Sequence, residues 1–145
     1  MSKVPYTAEA QVAGARDKGH GKTTDGALEV DLRVPSEMGG DGGGTNPEQL
    51  FAVGYAACFV GALGVMARRQ KVDAGVATID SKVNLHPTQE GGFELSVNLD
   101  VALPSIEDAD VAVELVKAAH QVCPYSNATR GNIDVKLTAN GQDVV

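Results

Sequence analysis

The sequence predicts an α+β domain, and three features carry that prediction. Alternating, strand-like segments open the chain, a long apolar helix follows, and two strands, a second helix and a last strand complete the order. That order is not a regular βαβ alternation, which disfavours a doubly wound nucleotide fold. No repeat or linker-like stretch divides the chain, so residues 1–145 read as one domain, long enough to bury a core.

Residues 4–13, VPYTAEAQVA, alternate loosely and read as a strand, and GARDKGHG after them is a turn-rich connection. In ALEVDLRV, residues 27–34, Leu28, Val30, Leu32 and Val34 face one way while Glu29, Asp31 and Arg33 face the other. PSEMGGDGGGTN, residues 35–46, holds five glycines and reads as a loop or an insertion. Asn46 then suits an N-cap, Pro47 the first helical position and Gln49 the return member of a capping box, for a helix reaching about Lys71. Segments 76–86 and 91–103 read as strands joined near Pro87 to Gly91. Residues 105–123 read as a second helix, capped by Ser105, with Glu107, Asp108 and Asp110 at its positive end and Pro124 as its stop. GNIDVKLTA, residues 131–139, is the closing strand.

The bulk numbers remove several function classes. A net charge of −7 with no Trp argues against a phosphate backbone or a stacking platform for single-stranded nucleic acid. The opening MSKVPYTAEAQVAG lacks an apolar secretion signal, so a cytoplasmic protein is expected. Two cysteines make neither a disulfide scaffold nor a structural zinc site, there is no CxxC pair, and no bound metal or cofactor is expected. GARDKGHGKTT misses the phosphate-loop register because Arg occupies position 16, and GGDGGGT lacks the dinucleotide glycine spacing. His20, His86 and His120 are scattered; His120 is three residues from Cys123 and reads as a satisfied or exposed histidine rather than as the base of a Cys–His pair.

The apolar run from Leu50 to Ala67 has roughly the length of a membrane span, but its Ala and Gly content and the nearby Pro47-Glu48 disfavour insertion. A helix apolar all round is otherwise a core helix. A small chain can hardly cover every side of one, so a homodimer with this helix at its centre is expected. Cys58 lies in this run, with Gly54 and Tyr55 one turn before it and Gly61 and Ala62 one turn after. Small residues there leave room for another backbone or for a ligand. On the second helix Ala109, Ala112, Val116, Ala119 and Cys123 share a stripe, so both thiols face the core. Buried free cysteines are often simply apolar filler.

If one thiol is a nucleophile, it must ionise. Cys123 sits at a helix C-terminus, where the dipole disfavours a thiolate, and Cys58 is mid-helix, where the dipole gives nothing. Cys58 would need a cation from another segment, and Arg16, in the GARDKG turn, is the candidate, with a carboxylate to hold its fork.

GGTNPEQLFAVGYAACF and VCPYSNATRGNIDV closely resemble the organic hydroperoxide resistance (Ohr) proteins of the OsmC superfamily, and the resemblance spans essentially the whole chain. It implies antiparallel sheets around a central buried helix in an intertwined homodimer. It also implies a thiol peroxidase for organic hydroperoxides, fatty-acid ones included, re-reduced by dihydrolipoamide or a lipoylated protein. On that pattern Cys58 matches the peroxidatic cysteine, Cys123 the resolving cysteine, and Arg16 and Glu48 the active-site pair. Leu50, Phe51, Phe59 and Tyr125 are assigned to an apolar substrate pocket by position.

Glu48 and Cys58 are ten residues apart. In a straight helix that is a rise of about 15 Å and roughly 80° of rotation. Either Arg16 spans the gap, or the helix begins later, or the carboxylate comes from a partner subunit; the site is expected at a subunit interface. The competing function is a hydrophobic-ligand binding protein with inert thiols.

Overall fold

The computed structural model describes residues 3–145; Met1 and Ser2 of the predicted domain lie outside the described residues. The chain falls into two compact units that divide between Leu50 and Phe51, inside a helix and away from any linker-like sequence.

The first unit is a three-stranded antiparallel sheet, in the order β1 (Ala10–Ala13), β2 (Gly19–Thr23), β3 (Glu29–Leu32). The predicted strand 4–13 shortens to its last four residues, because these alone have a partner in β2. In β3 Leu32 is buried, while Leu28 just ahead of the strand stays 47 % exposed. The glycine-rich loop contains one 3-10 turn, Ser36–Met38, and then returns to β3. There Thr45 N–H donates to Asp31 O at 2.9 Å and Arg33 N–H donates to Thr45 O at 2.8 Å. That bridge fixes the chain just before the first helix, α1 (Pro47–Gln70).

Asn46 caps α1, its Oδ1 accepting from Gln49 N–H at 2.9 Å. The expected capping box is only half made: Gln49 Oε1 accepts from Thr45 Oγ1 instead, at 2.7 Å. At the far end Lys71 adopts φ 57°, with Val72 N–H donating to Ala67 O and Lys71 N–H to Arg68 O. This is a Schellman closure with a lysine where glycine is usual. By length and composition α1 could cross a membrane, and 28 % of its most apolar stretch is buried. It is not buried all round, as the sequence suggested. Tyr55, Phe59, Ala62, Leu63 and Ala67 face the core, while Val53 is 71 % exposed.

The second unit, from Phe51 onward, carries a four-stranded sheet ordered β4 (Thr78–Pro87), β5 (Phe93–Ala102), β6 (Val135–Ala139), β7 (Gln142–Val144). It is mixed and not antiparallel throughout, since β5 and β6 run parallel. A parallel pair needs a crossover, which α2 (Ala109–Val122) and α3 (Pro124–Thr129) supply. Val97, Leu99 and Val101 alternate inward from β5 and pack with Leu115, Val116 and Ala119 of α2 and the buried face of α1.

Two helix boundaries depart from expectation. The second helix starts at Ala109 with Asp108, not Ser105, as its N-cap; Asp108 Oδ1 accepts from Asp110 and Val111 N–H. The earlier start is pre-empted by Asn140, whose side chain bonds Leu103 N–H, Leu103 O and Ile106 O and holds that segment in a turn. Pro124 stops α2 as expected but also begins α3, so Cys123 is the C-cap of one helix and the N-cap of the next.

Candidate active site

Arg16 lies in the β1–β2 turn, which Gly14 opens at φ 88°. Its guanidinium donates to Glu48 Oε1 in a charge-assisted hydrogen bond. Glu48 is in the first turn of α1, where the helix's free N–H groups favour an anion. Because Asn46 caps that turn and Thr45 is pinned to β3, both partners are held by the first unit's sheet. The structure thus pairs the arginine and the carboxylate that the sequence singled out. Since α1 is unbroken from Pro47, a later helix start no longer accounts for the separation of Glu48 from Cys58.

The second pair is in the other unit. Cys58 is partly buried on α1, Cys123 is fully buried, and both are free thiols. The Cys123 thiol donates to the Cys58 sulfur at 3.5 Å. A third group bears on this sulfur that the sequence reading missed: the backbone N–H of Tyr125, which favours its charged form. The signal was present in Cys123-Pro124-Tyr125. Proline at the first position of α3 has no N–H, so the first free donor of that turn belongs to Tyr125.

Burial pushes the Cys58 thiol up from its ordinary value; the Tyr125 N–H pulls the other way, and the neighbouring Cys123 sulfur adds to the rise. Those surroundings therefore favour the thiol over the thiolate.

The predicted pocket residues separate into three places. Phe51 and Tyr125 stack at 5.8 Å between centroids with 28° between planes, and Tyr55 packs against both. Gly54 admits this cluster, since a Cβ there would lie 2.9 Å from the Tyr125 hydroxyl. The space beside Gly54 is therefore taken by an aromatic ring. Leu50 lines a different cavity, of about 280 Å³, with Val12, Leu28, Val30, Leu32 and Pro47. Phe59 is a correction: it is fully buried among core side chains and forms no pocket wall, because it sits on the face of α1 turned to the core.

His120 is a satisfied histidine, its Nδ1 hydrogen-bonded to Ser126 Oγ at 2.8 Å. Arg130 serves as a cap, donating to the His120 carbonyl near the end of α2 at 2.9 Å. Among the described residues no three His, Cys, Asp or Glu side chains cluster as a metal ion would require.

Residues 40–138 match the family model of the OsmC-like proteins. The chain is 52 % identical over 138 residues to the organic hydroperoxide resistance protein of Xanthomonas axonopodis pv. citri, covering 94 % of this chain and 95 % of that one. Among solved structures, an organic hydroperoxide resistance protein from Legionella pneumophila superposes with a TM-score of 0.88 at 50 % identity, covering 93 % of this chain and 97 % of the other. The organic hydroperoxide resistance protein OhrB of Bacillus subtilis superposes with a TM-score of 0.84 at 45 % identity, covering 92 % and 98 %.

Proposed function

Since this chain belongs to the OsmC-like protein family, we propose that it is a thiol-dependent peroxidase that reduces organic hydroperoxides, fatty-acid ones included, to alcohols. The observation that carries this reading is the Cys58–Cys123 pair: two free thiols from distant parts of the chain, 3.5 Å apart, one half-buried and one sealed from solvent. The names of the similar relatives support the substrate class.

The chemistry is balanced by the chain's own groups and a dithiol. The Cys58 thiolate attacks the outer peroxide oxygen, the O–O bond breaks, the alkoxide leaves as an alcohol with a proton, and a sulfenic acid remains. Cys123 then attacks the sulfenic sulfur; an S–S bond forms and the hydroxyl departs as water. A dithiol such as dihydrolipoamide, free or on a lipoylated protein, reduces the disulfide and becomes a disulfide itself. No bound cofactor enters.

Arg16, of this chain or of a second copy, is the cation that keeps Cys58 ionised against its burial and hydrogen-bonds the peroxide oxygens. Glu48 holds the guanidinium fork. Leu50, Phe51 and Tyr125 offer apolar surface to an alkyl or aryl group. The working form is a cytoplasmic homodimer with the site at the subunit interface. Support for it comes from the uncovered face of α1, where Ala52, Val53, Ala56, Ala57 and Val60 line a groove of about 520 Å³ with Ile79 and its neighbours.

The test is a thiol titration with an organic hydroperoxide. Loss of both thiols in the unaltered chain, and of neither in Cys58→Ser, supports the enzyme. Retention of both thiols at millimolar peroxide overturns it in favour of a hydrophobic-ligand binder.

A further inference from the structure

A buried polar chain crosses the helix packing one turn from each sulfur. Tyr55 lies three residues before Cys58 on α1, and Ser126 three residues after Cys123 on α3; both are fully buried. Their hydroxyls are hydrogen-bonded at 2.8 Å, and the Tyr55 hydroxyl also reaches Thr129 Oγ1 at 3.2 Å. Ser126 Oγ meets His120 Nδ1 of α2 at 2.8 Å. The chain of contacts thus joins all three helices around the thiol pair.

Stability does not call for it. Phenylalanine at position 55 and alanine at 126 would fill much of the same volume without polar atoms to satisfy, and replacing both partners of a buried hydrogen bond by apolar groups is often close to neutral. Directed bonds do what apolar packing does not: they fix the distance and rotation between helices. That matters here because the sulfurs stand 3.5 Å apart, whereas a disulfide requires about 2.05 Å. A small misplacement of one helix would cost the intramolecular step much of its advantage.

We propose that Tyr55, Ser126 and His120 are positioning residues that hold Cys123 over Cys58, and so set how fast the disulfide closes relative to a second oxidation of Cys58. The inference rests on the peroxidase reading. The two competing steps start from the same sulfenic acid. In one, Cys123–SH and Cys58–SOH give the disulfide and water. In the other, a second hydroperoxide gives up an oxygen to the sulfur, leaving a sulfinic acid and an alcohol.

The experiment compares the full-length unaltered chain with Tyr55→Phe, Ser126→Ala and His120→Ala. Each is treated with graded cumene hydroperoxide, and the products at Cys58 are resolved by mass spectrometry alongside a thermal melt. The expected result in Tyr55→Phe and Ser126→Ala is disulfide closure about tenfold slower relative to the first oxidation, with sulfinic acid appearing at about tenfold lower peroxide. The disulfide's reduction potential is expected to rise by about 30 mV, the same tenfold expressed for a two-electron couple. A role in stability alone would lower the melt and leave both the partition and the potential where they are; that outcome overturns the proposal. If a core variant fails to fold, His120→Ala, on a partly exposed side chain, removes the contact to Ser126 and reads the same partition. An unaltered chain that keeps both thiols removes the peroxidase premise itself, which is a different result from an unaltered chain that closes its disulfide no faster than the variants.

Discussion

The thiol of Cys123 points at the sulfur of Cys58 across 3.5 Å, although 65 residues separate them in sequence. The two positions differ in access: Cys58 is partly exposed, and Cys123 has no exposed surface. On the peroxidase reading this asymmetry orders the chemistry, since an external oxidant meets the more exposed sulfur first. Cys58→Ser is expected to abolish hydroperoxide turnover. Cys123→Ser is expected to keep the first oxidation and accumulate sulfenic acid, read with a sulfenic-acid-specific trap. If Cys123→Ser blocks the first oxidation instead, the two roles are exchanged.

Burial and the neighbouring sulfur push the Cys58 thiol up, against the pull of the Tyr125 N–H. On the proposed reading, the Arg16 charge offsets this rise and holds the thiolate. Arg16→Ala is expected to slow the first oxidation about 100-fold, the scale of losing one oriented donor to a developing anion. It should also move the pH at which Cys58 is alkylated upward. Glu48→Gln keeps a hydrogen-bond acceptor and loses the charge, so a smaller effect, about tenfold, is expected from one weakened charge-assisted bond. Stopped-flow loss of the Cys58 thiol measures both, and an unchanged rate in Arg16→Ala takes Arg16 out of the chemistry.

Much of this was legible in the sequence where one local rule decides the outcome. Asn46-Pro47 marks a helix start whatever the tertiary context, and the helix does start there. Of the predicted inward stripe Ala109, Ala112, Val116, Ala119 and Cys123, the last four follow the periodicity and are fully buried, while Ala109, the first residue of α2, is exposed. The misses have distant causes or overlooked signals. Ser105 lost its cap role to a side chain, Asn140, that reaches back from the far end of the chain. The parallel pairing of β5 with β6 depends on the crossover and has no local mark. The last hairpin did have one: Asn140 and Gly141 both adopt positive φ, 48° and 84°, the pattern an Asn-Gly two-residue turn demands, and β7 follows it. In the site, the Arg16–Glu48 pairing follows motif resemblance, whereas the Tyr125 N–H depends on a second helix beginning at Pro124.

The reassigned cap makes a sharp comparison. Asp108 accepts two backbone N–H bonds at the start of α2, at 2.9 and 3.3 Å. Asp108→Ala is expected to cost about 1 kcal/mol of stability, the usual loss for an N-cap. Ser105→Ala should change it by less than about 0.5 kcal/mol, as for an exposed residue away from special features. Urea midpoints of the two variants measure this directly. An equal loss in both would restore Ser105 as the cap.

Acid should weaken the protein through His120. Burial, with the Arg130 guanidinium beside it adding to the effect, holds this imidazole below its ordinary value of 6.5. As pH falls, the unfolded chain takes up the proton first and the folded chain resists it, so the unfolded state binds more protons in that window. The stabilisation from keeping His120 neutral is therefore fully present above pH 6.5 and is lost as pH falls from there through the lower folded value. The groups facing it are Ser126, which bonds its Nδ1, and Arg130, whose charge opposes protonation and does not titrate in this range. Because Nδ1 of a protonated ring can only donate, Ser126 Oγ must accept from it in acid. His120→Gln retains a polar partner for Ser126 and carries no titrating proton. The difference in urea midpoint between the unaltered chain and His120→Gln should shift against the unaltered chain between pH 7 and pH 5, while contributions from all other groups cancel in the comparison. A difference that stays constant across that interval would show that folding does not perturb His120.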